Sequence, residues 1–452
     1  MATPLSPPQD SIVANATPPG RGAISIVRVS GPTAAAIAQA LCKSVPEPRR
    51  ATLKTLFDQH GVAFDQAIVI YFAAPNSYTG EDMLEIQTHG GSPLVSICLQ
   101  ACIAAGARLA QAGEFSERAF LNNKLNLLQA EAIADLISAS SERAARSAFN
   151  AMRGAFSEEV HALSNQLKSI RVEVEASIDF PEEEIPLPTL DRWLEGIERL
   201  STKLDALITN ARRGMKLNAG IDIAIVGSPN VGKSTLLNHL AGEDKAITSD
   251  IPGTTRDIVS VDVEYKGLSI RFHDTAGLRA ATEDQIEAEG IRRTKKLIDE
   301  VDLCLQIKDI SQHSTNTSDQ PAEVADTPHI IVWNKIDVMG SAPRMTKDGD
   351  QIHCYLSART GEGVTDLWDL IIEISGLTSE DESPYIARER HLNTLVAVRD
   401  LLQITDDTEA LQATELLAEN LRLAIRLLGE LIGEYTNEDL LGDIFSTFCI
   451  GK

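Results

Sequence analysis

Gly227, Ser228, Pro229, Asn230, Val231, Gly232, Lys233 and Ser234 fit the spacing GxxxxGK[ST]. The chemistry of that spacing is phosphate binding. Glycines at its ends let backbone N–H groups curl around phosphate oxygens. The lysine ammonium reaches the β- and γ-phosphates, and the serine hydroxyl can take a position on Mg²⁺. Thr235 extends the same cradle. The match stands in the context such a loop requires. A near-continuous apolar run, Ile221–Val226, precedes it as a buried central strand, and a helix-forming stretch from Lys233 to Leu240 follows.

Further strings follow in an order that suits one site. Asp274, Thr275, Ala276 and Gly277 end a predicted strand, Leu268–His273, which is expected to pair with Val259–Tyr265 across a Lys266-Gly267 turn. Asp274 is the acidic residue on the Mg²⁺ side, and the Gly277 N–H can sense a γ-phosphate. Asn334, Lys335, Ile336 and Asp337 follow the apolar strand 330–333. The Asp337 carboxylate can accept from both N1–H and the exocyclic amine of guanine, a donor pair that adenine lacks, and a site built on such bonds rejects the wrong base strongly. Ser357, Ala358 and Arg359 end the next strand, where a backbone N–H can meet the guanine O6. Between the first and second strings lies a loop of small and hydroxyl residues that includes Ser249, Asp250, Ile251, Pro252, Gly253, Thr254 and Thr255. Thr255 is the expected second Mg²⁺ hydroxyl, in a switch ordered by the γ-phosphate. The expected ligand is therefore GTP with Mg²⁺.

Hydrolysis needs a group that orients water. Small GTPases commonly place a glutamine directly after the glycine of the second string, and here that residue is Leu278. Either turnover is very slow or another residue substitutes. Glu283, Asp284, Glu287 and Glu289 follow closely. The transition state also needs positive charge beyond Lys233. An arginine finger is one route, and a monovalent cation is another. The Asn230 side-chain carbonyl, with carbonyls and hydroxyls of the following loop, could hold K⁺.

The elements that must position these residues fall into blocks. Short apolar runs and turn signals from Ser11 to about Leu121, with strands over 23–29 and 67–72 and a helix over 93–105, predict a small α+β domain. Ala-, Leu-, Glu- and Arg-rich sequence follows to Arg213, with a loop at Pro181–Pro188; helical texture returns after Leu377. The expected domains are an α+β domain at 1–121, a helical domain in two parts at 122–215 and 378–452, and an α/β domain at 216–377 inserted between them. The polar stretch Ser311–Thr327 is expected to be a surface loop. The 452 residues carry a net charge of −24, so an RNA substrate would need a basic patch or a basic partner. No apolar run is long enough to span a bilayer, and the first ten residues do not look like a secretory signal. Scattered cysteines without zinc spacing fit a reducing cytoplasm.

Taken over the whole chain, the strings resemble the tRNA-modification GTPase MnmE (TrmE) family. Ala16–Gly22, Ile24–Gly31, Asn76–Asp82, Leu84-Glu85, His89–Gly91, Ala112–Asn122 and the terminal Phe448–Lys452 carry the likeness alongside the phosphate loop. The resemblance implies a multidomain α+β and α/β fold: an N-terminal folate-binding-type domain that also drives dimerisation, a discontinuous helical domain, and an inserted Ras-like P-loop G domain. It implies a tetrahydrofolate derivative, in its 5-formyl or methylene form, contacted by Arg28, Glu85, Lys124 and Lys452. It places K⁺ ligands at Asn230, Ser249, Ile251 (backbone) and Thr254. The hydrolytic glutamate falls at Glu287, with Glu283 and Glu289 as alternatives in register, and Lys233 is the other catalytic residue. Hydrolysis would be activated when G domains meet across a homodimer. With the flavoprotein MnmG, in a heterotetramer-type complex, the enzyme would install a carboxymethylaminomethyl or aminomethyl group at C5 of the wobble uridine of tRNA. Such an enzyme would be cytoplasmic and off the membrane. Cys449 has two readings, a nucleophile near the folate or a packing residue. The competing function is a GTP-dependent binding switch such as a ribosome-assembly factor, which would need a basic RNA-binding module.

Overall fold

The computed structural model describes residues 9–179, 190–243, 259–274, 296–312, 327–349, 351–377, 385–403, 410–435 and 438–451. The chain divides into two compact units. One comprises Met1–Ala134, Ala151–Leu204 and Thr394–Lys452, and the other Asp135–Asn150 and Asp205–Asn393.

Among the described residues, the first unit contains six strands: β1 (Ser11–Asn15), β2 (Ile24–Ser30), β3 (Thr52–Phe57), β4 (Ala63–Phe72), β5 (Met83–His89) and β6 (Ala107–Leu109). They form one sheet in the order β3-β4-β5-β2-β1-β6, antiparallel except for the β1–β6 pair. Period-two alternation decides its faces. Val27 and Val29 of β2 point into a core shared with Ile37 and Leu41 of the helix Ala34–Cys42 and with Cys98 and Cys102 of the helix Ser92–Ala104. Arg28, between those valines, therefore stands on the opposite face. The helical part draws on both flanks. The helix Ala155–Asp179 lies against Ala410–Ile432, burying Leu163 and Leu167 on one side and Leu421 and Leu428 on the other. The C-terminal helix Glu438–Ser446 buries Leu441, Ile444 and Phe445 against Leu127 and Ala130. The α+β domain and the discontinuous helical part are both as expected. The stretch from Leu127 forms two helices, Leu127–Ser138 and Glu142–Met152.

Among the described residues, the second unit has seven strands: β7 (Ile221–Val226), β8 (Val259–Tyr265), β9 (Leu268–Asp274), β10 (Leu303–Asp309), β11 (His329–Asn334), β12 (Arg344–Asp348) and β13 (Gln351–Tyr355). Their order is β12-β13-β11-β10-β7-β9-β8. The five strands from β13 to β9 run parallel, and β8 and β12 close the edges antiparallel. After β7 the chain crosses to β8 and β9 on one side, then returns to β10 on the other. The end of β7 is thus the topological switch point, where open α/β sheets bind ligands. The helix Lys233–Glu243 contributes Leu236 and Leu240 to the core, and Val364–Ser375 contributes Trp368, whose ring stacks on Tyr265 at 4.4 Å. The chain enters and leaves this sheet close together. Asp135 accepts from Arg388 at 2.8 Å and from Asn218 at 3.5 Å, and Gly214 leaves no room for a Cβ beside the Tyr385 carbonyl. Edge strand β12 was not expected; it is exposed along its length and exists by pairing with β13. No helix among the described residues is long and apolar enough to cross a membrane.

Candidate functional site: a phosphate loop joined to a base-recognition loop

Register brings the carboxyl ends of four parallel strands to one edge. Ile225 is level with Asp274, Val226 with Gln306, and Asp309 with Asn334. The loop Gly227–Gly232 leaves β7 at that edge. Its turns need unusual backbone. Gly227 (φ +154°) lies so close to the Ile307 carbonyl that a Cβ would collide, and Gly232 (φ +99°) leaves no space for one beside Asn334 Nδ2. Asn230 holds φ +64° with a side chain attached, a left-handed conformation that asparagine tolerates better than most residues. Lys233 is 8% exposed, and its ammonium donates to the Gly227 and Ser228 carbonyls at 2.8 and 2.9 Å. Ser234 and Thr235 are exposed on the first helical turn.

Asn334, 2% exposed, ties two loops together. Its Nδ2 donates to the Val231 carbonyl at 2.8 Å, while its Oδ1 accepts the Ala358 amide at 2.9 Å and the Lys335 amide at 2.8 Å. Ser357 hydroxyl donates to Asp337 Oδ1 at 2.7 Å, and Arg359 pairs with Asp337 Oδ2 at 2.7 Å. The Ser357 amide donates to the Glu362 carbonyl at 2.9 Å. Val231, Gly232, Asn334, Lys335, Asp337, Ser357, Ala358 and Arg359 thus belong to one linked assembly, and Asp274 stands at the same sheet edge.

One member of the site carries no motif in the sequence. Asp309, at the end of β10, accepts from Lys335 Nζ at 2.6 Å and from the Ser311 amide and hydroxyl at 2.9 and 2.6 Å. Burial pushes its carboxyl up, but the Lys335 and Ser311 hydrogen bonds outweigh this and hold it below the ordinary carboxylate range. Only its place at a strand end before a Ser could have drawn attention. Ser249, Asp250, Ile251, Pro252, Gly253, Thr254, Thr255, Thr275, Ala276, Gly277, Leu278, Glu283, Glu287, Glu289 and Lys452 lie outside the described residues, as do the loop 181–188 and residues 313–326 of the polar insert.

In the first unit, Arg28 directs Nε and Nη2 to Glu85 Oε1 at 3.1 and 2.9 Å, across the β2–β5 pair. Its Nη1 donates to the Gly451 carbonyl at 3.2 Å, and its guanidinium lies 5.6 and 5.8 Å from the ring centroids of Tyr78 and Phe115. Lys124 instead donates to the Pro75 carbonyl at 3.0 Å. Cys449 is exposed, which does not suit a packing role, and its carbonyl accepts the Gly113 amide at 3.4 Å. Beneath this face runs a charged network. Arg118, fully buried, pairs with Glu114 at 2.9 Å, Asp10 at 2.8 Å and Glu81 at 3.3 Å, and Arg108 adds a second guanidinium to Glu114 at 2.6 Å.

A Ras-like sheet order, a phosphate loop at the switch point and an Asn-Lys-x-Asp string tied to it define a P-loop GTPase. The family description "MnmE helical domain" matches residues 127–449, and "GTP-binding protein TrmE N-terminus" matches residues 11–124. The chain is 46% identical to the tRNA modification GTPase MnmE of Azoarcus sp. over 456 aligned residues, covering all of both chains. It is 44% identical to that of Nitrosomonas eutropha and 46% to that of Coxiella burnetii, each over 98% of this chain and 99% of the relative. Among solved structures, the G domain of the T. maritima FeoB iron transporter is similar over 34% of this chain and 98% of its own, with 25% identity and a TM-score of 0.25. The chain belongs to the MnmE family of tRNA modification GTPases.

Proposed function

We propose that this GTPase works with a flavoprotein partner, MnmG, to place an aminomethyl-type or carboxymethylaminomethyl group on C5 of the wobble uridine in tRNA, in the cytoplasm. The observation that carries the guanine-nucleotide part is the Asn334 side chain, which bonds the phosphate loop at Val231 and the base loop at Ala358 with its two ends. Lys233 and the loop amides hold the phosphates, and Asp337 reads the base. Ser234 and Asp274 offer a hydroxyl and a carboxylate, the hard oxygen donors that Mg²⁺ takes beside substrate phosphates; Thr255 would add a second hydroxyl. When bound, Mg²⁺ supplies charge neutralisation at the β- and γ-phosphates. Asn230 is exposed at the loop tip, in keeping with a ligand role toward K⁺ shared with Ser249, Ile251 and Thr254. Glu287, with Glu283 and Glu289 as alternatives, orients water in place of the glutamine that Leu278 cannot imitate.

The Arg28–Glu85 pair is the proposed seat of a tetrahydrofolate derivative, with Lys124 and Lys452 on its carboxylates. Guanidinium and ammonium groups suit those carboxylates, and Glu85 suits the donor edge of a pterin. The same N-terminal domain, residues 1–121, is the proposed dimerisation domain. The helical domain is assigned to 122–215 and 378–452, and the G domain to 216–377. GTP turnover measured against K⁺, Na⁺ and protein concentration tests the mechanism. Turnover per subunit should rise with concentration and require K⁺. A linear response indifferent to the cation overturns it.

A further inference from the structure

Among the described residues of the nucleotide site, two hold a left-handed backbone without being glycine: Asn230 at φ +64° and Lys335 at φ +70°. One bond joins them. Lys335 Nζ donates to the Asn230 carbonyl at 2.9 Å. The same ammonium is held from the other side by Asp309 Oδ2 at 2.6 Å. Asp309 is itself fixed, 5% exposed at the end of β10, with the Ser311 amide and hydroxyl on its other oxygen. The row therefore runs from a rigid strand end, through the second residue of the base-recognition string, to the tip of the phosphate loop. Unlike Asp274, which offers its carboxylate to Mg²⁺, Asp309 has one oxygen on Lys335 and the other on Ser311, and a carboxylate near phosphates without a cation repels their negative charge. A buried carboxylate in that place must act through what it holds.

We propose that Asp309 is a positioning residue for guanine-nucleotide retention, clamping Lys335 so that its ammonium holds the Asn230 carbonyl and keeps the phosphate loop and base loop in one geometry. The proposal rests on the guanine-nucleotide reading of the site and on no other part of the proposed function. Lys335 is a long, flexible side chain whose rotamers are costly to restrain by one contact. A charge-assisted bond to a fixed carboxylate supplies the second restraint. Electrostatics and positioning predict opposite signs. Removing a negative charge near bound phosphates slows nucleotide release if charge alone matters. Releasing the clamp speeds it.

The test is stopped-flow dissociation of N-methylanthraniloyl-GDP from the full-length protein. Parent retention of labelled GDP over labelled ADP first checks the site reading by itself; if it is absent, that reading fails rather than the clamp. Given it, Asp309→Asn should speed release about 10- to 100-fold, the range carried by a hydrogen bond to a charged group. On a Lys335→Met background, Asp309→Asn should add nothing, because the bond it removes is already gone. Ser311→Ala, a milder change that leaves both partners in place, should give a smaller increase and serves if the Asp309 variant does not fold. Unchanged or slower release in Asp309→Asn and Ser311→Ala, or full additivity with Lys335→Met, overturns the clamp.

Discussion

Arg28 and Glu85 stand directly opposite each other across the β2–β5 pair, and Arg28 gives two of its N–H groups to a single oxygen of that carboxylate. The guanidinium has Tyr78 and Phe115 near it, so it is held by rings as well as by charge. A lysine cannot copy this arrangement, because it lacks the planar fork. Arg28→Lys and Arg28→Ala should both lose tetrahydrofolate binding, measured by calorimetry, while labelled GDP binding stays at the parent level. Folate affinity retained in Arg28→Lys would separate charge from geometry and count against the fork.

Asp337 offers two acceptor oxygens, now taken by Ser357 and Arg359. Asp337→Asn replaces one acceptor with a donor and suits xanthine, whose C2 carries a carbonyl where guanine has an amine. GTP affinity should fall by about 10⁴-fold, the scale on which a hydrogen-bonded site rejects a mismatched group. XTP should bind better than GTP to the variant. Competition of both nucleotides against a fluorescent probe measures the ratio.

Glu114 is buried between Arg118 and Arg108. Burial alone would raise its carboxyl; hydrogen bonds from Arg108, the Gln111 amide and Arg118 lower it below the ordinary value. A lowered folded value means that the stabilisation is fully present above the unfolded pKa, about 4.3, and fades as pH falls through the folded value beneath it. Glu114→Gln leaves two guanidiniums short of their shared anion and should cost about 3–5 kcal/mol at pH 7. In urea unfolding, the gap between parent and variant should stay constant from pH 8 to 5 and narrow below pH 4.

Of the six cysteines, Cys449 alone is exposed. Burial raises the thiol pKa of Cys42 to about 11 and those of Cys304 and Cys354 to about 12. One thiol should react quickly with a disulfide reagent in the native protein and six after denaturation. Cys449→Ser should remove the fast phase.

Much of the nucleotide site was legible because its chemistry is local. Gly227 and Gly232 are glycines for backbone reasons that hold wherever such a loop follows a strand, and β7 and β11 advertise themselves by apolar runs. Asp309 was not legible. An aspartate at a strand end has no message until β10–β11 register sets it level with Asn334, next to Lys335. Arg118 was hidden for a similar reason, since Asp10 and Glu81 meet it only after the sheet has formed. Strand β12, Arg344–Asp348, shows no apolar alternation, and it takes its shape from its partner rather than from its own residues. Short strands β1 and β6 were also overlooked, each too brief to show a period.

The Arg28 bond to the Gly451 carbonyl spans 423 positions of the chain. A ribosome adding about 5–20 residues per second needs roughly 20–80 s to travel that distance. Throughout that interval Arg28 has emerged without one of its partners. The described strands of the inserted sheet lie between Ile221 and Tyr355 and are available well before then. Biogenesis therefore runs against sequence order: the nucleotide site can mature on the nascent chain while Arg28, made far earlier, still waits for Gly451.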